Sequence, residues 1–244
     1  MNVYIWTEWI TTPWIYHNAT DWLISISSDG TNWITIADKN LWATQVYNSG
    51  DTLSNANCWY VYQRWNNYWF PYTWSMTVST GTVNASSYWP WNYYSSSTFR
   101  YYQSWYWYWD SSNNDNLWWD TTNTKEARRW PCDSWYHIAS QSERWSLITV
   151  MTALWLTSQT NWCTYLKIPK NWYRRGNDWW TVQQLNTNAY WWSSSPRDTW
   201  LHSYDLAIES SIYNTDNSWR SSWLAIRPMK NTPSIPTVWW TKLN

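Results

Sequence analysis

A single segment organises the chain: it begins with YWWSSSP at residues 190–196 and ends with RSSWLAIRP at residues 220–228. Between these two ends, small or apolar residues alternate with large ones from Tyr204 to Tyr213. A period of two is typical of a strand with one buried face and one exposed face. The two ends therefore predict a fixed scaffold, and the middle predicts a displayed surface. An ordinary half-exposed hairpin is the alternative.

The side chains predicted to face a ligand mix aromatic rings with hydrogen-bonding groups. They are Arg197, Asp198, His202, Tyr204, Asp205, Glu209, Tyr213, Asn214, Asp216 and Arg220. Rigid aromatic side chains provide contact area at a low cost in conformational entropy, which suits recognition. Residues 197–220 are therefore the predicted ligand-binding surface.

Length and charge restrict the class of protein. A chain of 244 residues forms one large domain or two small ones. Lys plus Arg equals Asp plus Glu, at 16 each, so nothing favours nucleic acid or an acidic membrane surface as a partner. No Lys or Arg precedes Lys39, so we expect no signal peptide. No segment approaches the roughly 18 apolar residues of a membrane span.

No catalytic or metal-binding pattern emerges. The three histidines, His17, His137 and His202, have no metal-ligand spacing, and His137 beside the apolar Ile138 favours a structural role. The three cysteines, Cys58, Cys132 and Cys163, form no disulfide framework, although Cys132 could pair with Cys163. We therefore expect no enzyme and no zinc site.

An Asn-rich stretch at 112–116 lies among three acidic residues, Asp110, Asp115 and Asp120. Oxygen-rich loops can ligate calcium, but this spacing fits no defined calcium loop. The expectation is that the protein has no cofactor, and calcium is the alternative.

The sequence has far too much Trp and far too little Gly. It has 32 Trp and 4 Gly, whereas a chain of this length carries roughly 17 Gly at average usage. Many of these Trp follow Asn, Asp, Ser or Pro, where turn chemistry calls for Gly: Trp22, Trp91, Trp135, Trp162, Trp172, Trp179 and Trp223. Gly reaches positive φ without steric cost, and an indole side chain does not.

The hypothesis is that the gene uses UGA codons for Gly and that they are translated here as Trp. Strand or core context favours a smaller authentic set: Trp33, Trp118, Trp191, Trp192 and Trp219. UGG codons at Trp22, Trp91, Trp135 and Trp172 would refute the hypothesis. The alternative is a true Trp-rich surface protein, whose exposed indoles would favour aggregation.

One helix has clear start and stop signals. Ser140 and Glu143 form a capping box, in which each side chain satisfies a free backbone N–H group. Leu147, Met151 and Leu154 follow on one face, with Ile148 beside them. Trp155 stands where a Gly would end the helix. Short strands are predicted at 3–5, 23–26, 33–36, 59–65 and 166–169, and a packed loop region at 72–123.

Four motifs, taken in order, and one further strand resemble those of a known family. PCDSWYHIAS at 131–140, with Glu143, is similar to its C-P-x-G-[YW]-H-[VL]-P-[ST]-x-x-E-W signature. WYR at 172–174, YWWSSS at 190–195 and SSWLAIR at 221–227 resemble its G-[YF]-R, Y-W-S-S-S and S-x-G-F-x-V-R motifs, and the run at 59–65 resembles its Y-x-W-G strand. The family is the Fibrobacter succinogenes major paralogous domain. The match covers roughly residues 33–230 and requires Gly at Trp135, Trp172 and Trp223.

The resemblance implies an α+β, C-type-lectin-like fold with short strands, one or two helices and long irregular loops. This fold is akin to the formylglycine-generating enzyme and to variable proteins of diversity-generating retroelements. It implies ligand-facing positions at 197–220, with Trp191, Trp192 and Ile226 as framework. The predicted organisation is a short β arm or attachment segment at 1–32, the domain at 33–230 and a C-terminal tail at 231–244.

The sequence departs from the family pattern in ways that bear on activity. Pro228 stands where members often have Cys, Arg144 where the signature has Trp, and Ala139 where it has Pro. No Cys follows Cys163, whereas the enzyme branch needs reactive cysteines near the C-terminus.

The resemblance therefore implies a non-enzymatic recognition or adhesion protein, at a cell surface, secreted or on a phage particle, that binds a protein or glycan. A structural cell-envelope or virion module and a sulfatase-modifying type of enzyme are the alternatives.

Overall fold

The computed structural model describes residues 14–58, 60–64, 66–68, 70–71, 77–80, 95–101, 131–170, 187–197, 202–219, 222–237 and 240–243. Within these ranges the chain is mostly antiparallel sheet with two helices, so the predicted α+β class is confirmed. Several predictions lie outside the described residues: the strand at 3–5, the turn at 172–174, the acidic residues Asp110, Asp115 and Asp120, and most of the loop region at 72–123.

The described residues form fourteen strands and two helices. The strands are β1 (Trp14–Asn18), β2 (Leu23–Ser27), β3 (Ile34–Ala37), β4 (Tyr60–Gln63), β5 (Phe70–Pro71), β6 (Thr77–Thr80), β7 (Thr98–Tyr101), β8 (Tyr136–Ile138), β9 (Ala189–Pro196), β10 (His202–Ile208), β11 (Ile212–Trp219), β12 (Trp223–Leu224), β13 (Pro228–Lys230) and β14 (Thr241–Lys242). The helices are α1 (Gln141–Ala153) and α2 (Gln159–Tyr165). The strands predicted at 23–26, 33–36 and 59–65 are confirmed as β2, β3 and β4.

A six-stranded sheet joins the two ends of the described chain. Its order is β14-β1-β2-β3-β13-β8, and β1 pairs with β14 through Tyr16 opposite Lys242. The boundaries predicted at residues 33 and 230 therefore lie within one continuous sheet. Strands β1 and β2, before residue 33, and β14, after residue 230, therefore pair within the same sheet as β3 and β13.

Strand β2 is buried on both faces. Ile24 and Ile26 pack in the main apolar cluster. On the opposite face Ser25 Oγ lies 2.7 Å from Thr35 Oγ1 and donates to the backbone carbonyl of Ser234 at 2.8 Å. Residues of the predicted tail therefore cover the polar face of the sheet and satisfy its hydroxyl groups.

Helix α1 is confirmed, including its capping box. The backbone N–H of Glu143 donates to Ser140 Oγ at 3.3 Å, and the backbone N–H of Ser140 donates to Glu143 Oε2 at 2.9 Å. Leu147 and Met151 are buried on the core side, as the spacing predicts. The helix ends at Ala153, and Trp155 follows with a φ of 61°, the conformation of a glycine stop.

Two local predictions around α2 are wrong. The expected turn at Trp162 is helix, and this side chain is only 1% exposed. The expected strand at 166–169 begins instead with Leu166, which caps the C-terminal end of α2. The reason is an N-terminal cap: Ser158 accepts a hydrogen bond from the backbone of Asn161 and starts a helix whose apolar side faces the core.

Several Trp residues have a backbone conformation that favours Gly. Trp22 has φ 59°, Trp42 has φ 64° and Trp155 has φ 61°, close to the 73° of Gly30. A side chain with a Cβ pays about 1–2 kcal/mol in this region. The glycine-type backbone predicted at Trp22 and Trp155 is therefore confirmed, while translation of UGA as Trp remains a hypothesis.

The other predicted glycine positions differ among themselves. Trp135 lies in an exposed turn. The turn predicted at Trp223 is wrong, because this residue lies in β12 and is fully buried. Trp91, Trp172 and Trp179 are outside the described residues.

The core consists of two apolar clusters separated by β9. Trp191 packs in the cluster beneath the helices, and Trp192 packs with Tyr62 and Ile226 in the second cluster. The framework role predicted for Trp191, Trp192 and Ile226 is consistent with their burial. All three cysteines are buried and free, so Cys132 and Cys163 do not pair.

Two further findings concern His137 and the membrane. His137 is buried between Asn231 Oδ1, 2.8 Å from Nδ1, and Glu143 Oε1, 3.0 Å from Nε2, so its predicted structural role is confirmed. Among the described residues, no helix has the length and apolarity that a bilayer crossing requires.

Candidate functional site

The predicted ligand-binding surface lies on a separate three-stranded sheet. Its order is β11-β10-β9, with both pairs antiparallel. Across β10 and β11 the Cα partners are His202 with Trp219, Tyr204 with Asn217, Asp205 with Asp216 and Ala207 with Tyr213. Strand β9 is an edge strand of this sheet and is buried in the protein. Strand β10 pairs with it, so β9 serves as the base of the sheet.

Strand β9 is held by buried guanidinium groups. Arg144 donates to the backbone carbonyl of Trp191, and Arg64 donates to that of Ser194. Arg227 lies 5.0 Å from the ring of Trp191 and donates at 3.0 Å to the carbonyls of Ala37 and of Lys167. Two carbonyls of β9, those of Trp191 and Ser194, are therefore paired with buried cations, which helps to make this strand a rigid base.

The second cluster fixes β9 as well. The indole Nε1 of Trp192 donates to the backbone carbonyl of Tyr62 at 2.7 Å, and the backbone N–H of Trp192 donates to Ala225 at 3.0 Å. The backbone N–H of Ser194 donates to Ala139 at 3.0 Å. Contacts from three distant parts of the chain therefore set the position of this strand.

Strand β10 shows the predicted alternation only in its first half. His202 and Tyr204 are partly exposed, while Ser203 and Asp205 are fully buried. The register then shifts between Asp205 and Ala207, and the remaining residues of the strand are all buried. The period of two fails there because Leu206 and Ala207 pack in different apolar clusters on the two sides of the strand.

The prediction that Asp205 contacts a ligand at the surface is wrong. Its side chain is 0% exposed, and Ser218 Oγ donates to its Oδ2 at 3.2 Å. It also lies close enough to Arg144 to act on its charge. Burial lowers the pKa of Arg144 to about 9, and the negative charges of Asp205 and Glu143 oppose that shift. Asp205 therefore compensates a buried cation beneath the surface.

Glu209 lies at the opposite end of β10 from His202. Six residues lie between them, so the two are separated by about 23 Å of extended chain. The hydroxyl of Tyr190 donates a short hydrogen bond to Glu209 Oε1, and Asn188 Nδ2 donates to that hydroxyl at 3.2 Å. This carboxylate is engaged by its own neighbours and does not share a patch with His202.

The remaining predicted contacts divide into three groups. Arg197 is exposed and follows Pro196, the partner of Ser203, so it is adjacent to His202 across β9 and β10. The structure thus brings together Arg197, His202 and Tyr204. The backbone places Tyr213, Asn214 and Asp216 on β11. Asp198 and Arg220 lie outside the described residues.

Sequence reasoning missed the buried arginines that support this surface. Arg144 interrupts the apolar face of α1 three positions before Leu147 and is 3% exposed. A charged residue on the buried face of an amphipathic helix is the signal that could have found it, because such a charge requires a partner inside the protein.

The comparisons with known proteins found no match for this chain. No protein-family model matches the chain, and neither a curated protein nor a solved structure matches it. The resemblance to the major paralogous domain therefore rests on the sequence motifs. In the described ranges, no three or more His, Cys, Asp or Glu side chains lie close enough together to hold a metal ion.

Proposed function

We propose that this chain is a non-enzymatic recognition protein with a C-type-lectin-like fold. The binding surface is the end of the β9–β10–β11 sheet that carries Arg197, His202 and Tyr204, and the ligand is a protein or a glycan. This patch contains an aromatic ring, a cation and an imidazole side by side. Such a mixture provides both contact area and directional hydrogen bonds.

The observation that carries the proposal is the contrast in burial within β10. His202 and Tyr204 reach the solvent, whereas Ser203 and Asp205 between them are buried on a base fixed by Arg144 and Trp191. Contact residues on a rigid base lose little conformational entropy on binding, so more of the contact energy remains as affinity. The arrangement suits recognition better than catalysis.

The cysteines support a function without thiol chemistry. Burial raises the pKa of Cys58 to about 12 and that of Cys163 to about 11, and it raises the pKa of Cys132 as well. Only the thiolate is a nucleophile, so these three groups are inert at neutral pH.

We place the protein at a cell surface, in secreted form or on a phage particle, as the target of a diversity-generating retroelement. Exchange of side chains at exposed positions of β10 would leave the buried framework unchanged. A reverse transcriptase gene beside the gene, with a near-copy of its 3′ segment, would support this placement. Isolates that vary evenly along the chain, rather than at adenine-containing codons of 197–220, would contradict it.

The direct test is Tyr204→Ala, assayed for binding and for folding. Labelled protein is titrated on a glycan array and on intact bacterial cells, and thermal unfolding is followed in parallel. Loss of a central aromatic contact costs about 2 kcal/mol of binding, roughly 30-fold in affinity. We expect that loss with nearly unchanged thermal stability. Parallel loss of folding and binding would show that Tyr204 is structural.

Ser222→Ala is the matched control for this test. Ser222 is 1% exposed and lies beside the same framework, but it offers no contact to a ligand at the surface. We expect unchanged affinity for this variant, whatever its effect on stability. If Ser222→Ala lowers affinity as much as Tyr204→Ala does, the binding surface is elsewhere.

A further inference from the structure

A cavity of about 510 Å³ is lined by residues on and next to the six-stranded sheet, and none of them belongs to 197–220. Its walls come from the β1–β2 turn, the segment after β3, and the region around the start of β8. The lining includes Asp21, Lys39, Asn40, Asp133 and Tyr136, together with the indoles of Trp22 and Trp42. Ligand cavities in proteins have volumes of roughly 300–1,000 Å³, so this one has room for a small molecule.

Asn40 provides an unsatisfied polar atom in the cavity wall. The residue is 0% exposed, and its Nδ2 donates to the backbone carbonyl of Cys58 at 3.4 Å. Its Oδ1 has no hydrogen-bond donor among the described residues. A buried acceptor without a partner destabilises the folded protein, because it has lost its hydrogen bonds to water. The oxygen is covered in this structure, so the Asn40 side chain has to turn toward the cavity before a ligand can donate a hydrogen bond to it and recover that cost.

The charges of the cavity define the class of ligand. Asp21 and Asp133 place two carboxylates against the single ammonium group of Lys39. The balance disfavours phosphates, sulfates and carboxylic acids. A neutral molecule with several hydroxyl groups fits better, because each hydroxyl can donate to a carboxylate or to Asn40 Oδ1 and accept from Lys39.

The aromatic side chains add an apolar wall. Lys39 Nζ lies 3.6 Å from the ring centroid of Trp22, and the half-buried ring of Tyr136 also lines the cavity. Flat aromatic faces pack against the C–H groups of a sugar ring. Trp22 and Trp42 are also positions of glycine-type backbone. Asn40, Lys39, the two carboxylates and Tyr136 remain when Gly replaces both indoles, so the polar walls do not depend on them.

We propose that this cavity is a second binding site, specific for a neutral mono- or disaccharide. Asn40 and the two carboxylates accept hydrogen bonds from the sugar hydroxyls, and Lys39 donates to them. The site shares no residue with the surface at 197–220. The inference therefore does not require that the proposed recognition by β10 be correct.

The experiment is titration calorimetry of the full chain with neutral sugars and with anionic ones. The neutral probes are the methyl glycosides of glucose, galactose and N-acetylglucosamine, with lactose and cellobiose; the anionic probes are glucuronate and N-acetylneuraminate. Both the chain as written and its Trp22→Gly/Trp42→Gly form are titrated. We expect at least one neutral sugar to bind to both forms, more tightly than either anionic sugar.

Variants then locate the binding. Asn40→Leu and Asp133→Ala each remove an acceptor, and each should weaken sugar binding by about tenfold or more. Asp51→Asn is the matched control, since it neutralises a carboxylate that lines a different cavity. Should Asn40→Leu fail to fold, the exposed Asp133 still gives the test.

Five results would overturn the proposal. Four of them are no binding of any neutral sugar to either form, stronger binding of the anionic sugars, equal weakening by Asp51→Asn, and affinity unchanged by Asp133→Ala. Loss of sugar binding in Tyr204→Ala alone would assign the sugar to the β10 surface instead. That outcome would overturn the second site while leaving the proposed recognition function intact.

Discussion

Strands β9 and β10 are neighbours in one sheet, but they face different surroundings. All residues of β9 up to Ser195 are buried, and buried guanidinium groups and backbone donors take up carbonyls on it. The first half of β10 alternates between half-exposed and buried side chains. A strand that is enclosed on both faces acts as a base, and its neighbour can present alternate residues to solvent without losing its register.

The difference shows where side chains can vary without loss of folding. Ser203 and Asp205 sit beneath the surface of β10 and connect it to the base, through packing and through the charge of Arg144. His202 and Tyr204 lie between them on the outer face. Changes at the outer positions alter what the surface recognises, and changes at the inner ones alter whether the sheet forms.

Trp192→Ala on β9 should lower the free energy of unfolding much more than Tyr204→Ala on β10. The indole is 0% exposed, and its Nε1 donates to the carbonyl of Tyr62, which would lose its donor. Removal of a buried Trp costs about 3–5 kcal/mol. Tyr204→Ala on β10 should cost less than about 1 kcal/mol of folding free energy. Urea unfolding measures both values, and equal losses would show that the two strands do not differ as described.

The link between the strands is tested by Arg144→Leu, alone and combined with Asp205→Asn. The single change leaves Asp205 buried without its compensating cation and should cost about 3 kcal/mol. The double variant should regain at least about 1 kcal/mol, because the uncompensated charge is removed with its partner. Chemical denaturation of all four members of this cycle provides the coupling energy. Additive effects would mean that Arg144 and Asp205 do not act on each other.

Trp155→Gly tests whether the bend after α1 favours glycine, in contrast to a position within the helix. Trp155 is 82% exposed at φ 61°, so Gly should relieve the left-handed strain and stabilise the fold by about 1 kcal/mol. Trp145→Gly is the matched control, because this exposed Trp lies within α1, where Gly weakens the helix by about 0.5 kcal/mol. The melting temperatures should shift in opposite directions. A loss of stability in both variants would remove the argument that Trp155 occupies a glycine position.

The predictions that succeeded from sequence depend on local interactions. The capping box at Ser140 and Glu143 satisfies backbone groups within one turn, so its residues alone determine where α1 begins. The glycine-type bends at Trp22 and Trp155 are equally local, because φ depends on the residue and its nearest neighbours. Such features need no knowledge of the rest of the fold.

The predictions that failed depend on distant parts of the chain. The alternation in its strand predicts Asp205 on the surface, but its burial comes with the partners Arg144 on α1 and Ser218 on β11. Trp162 follows Asn, as in a turn, but its indole packs in the main cluster. A pattern of period two or a turn dipeptide indicates a local preference and does not show which surface another element will cover.

The most direct test of the central claim is saturation mutagenesis of residues 202, 203, 204 and 205, with the fraction of folded protein measured for every variant. We expect positions 202 and 204 to accept most side chains, because they face solvent from a base that they do not support. Positions 203 and 205 should accept few, because they lie between the strand and that base. Equal tolerance at all four positions, or greater tolerance at 203 and 205, would contradict the account.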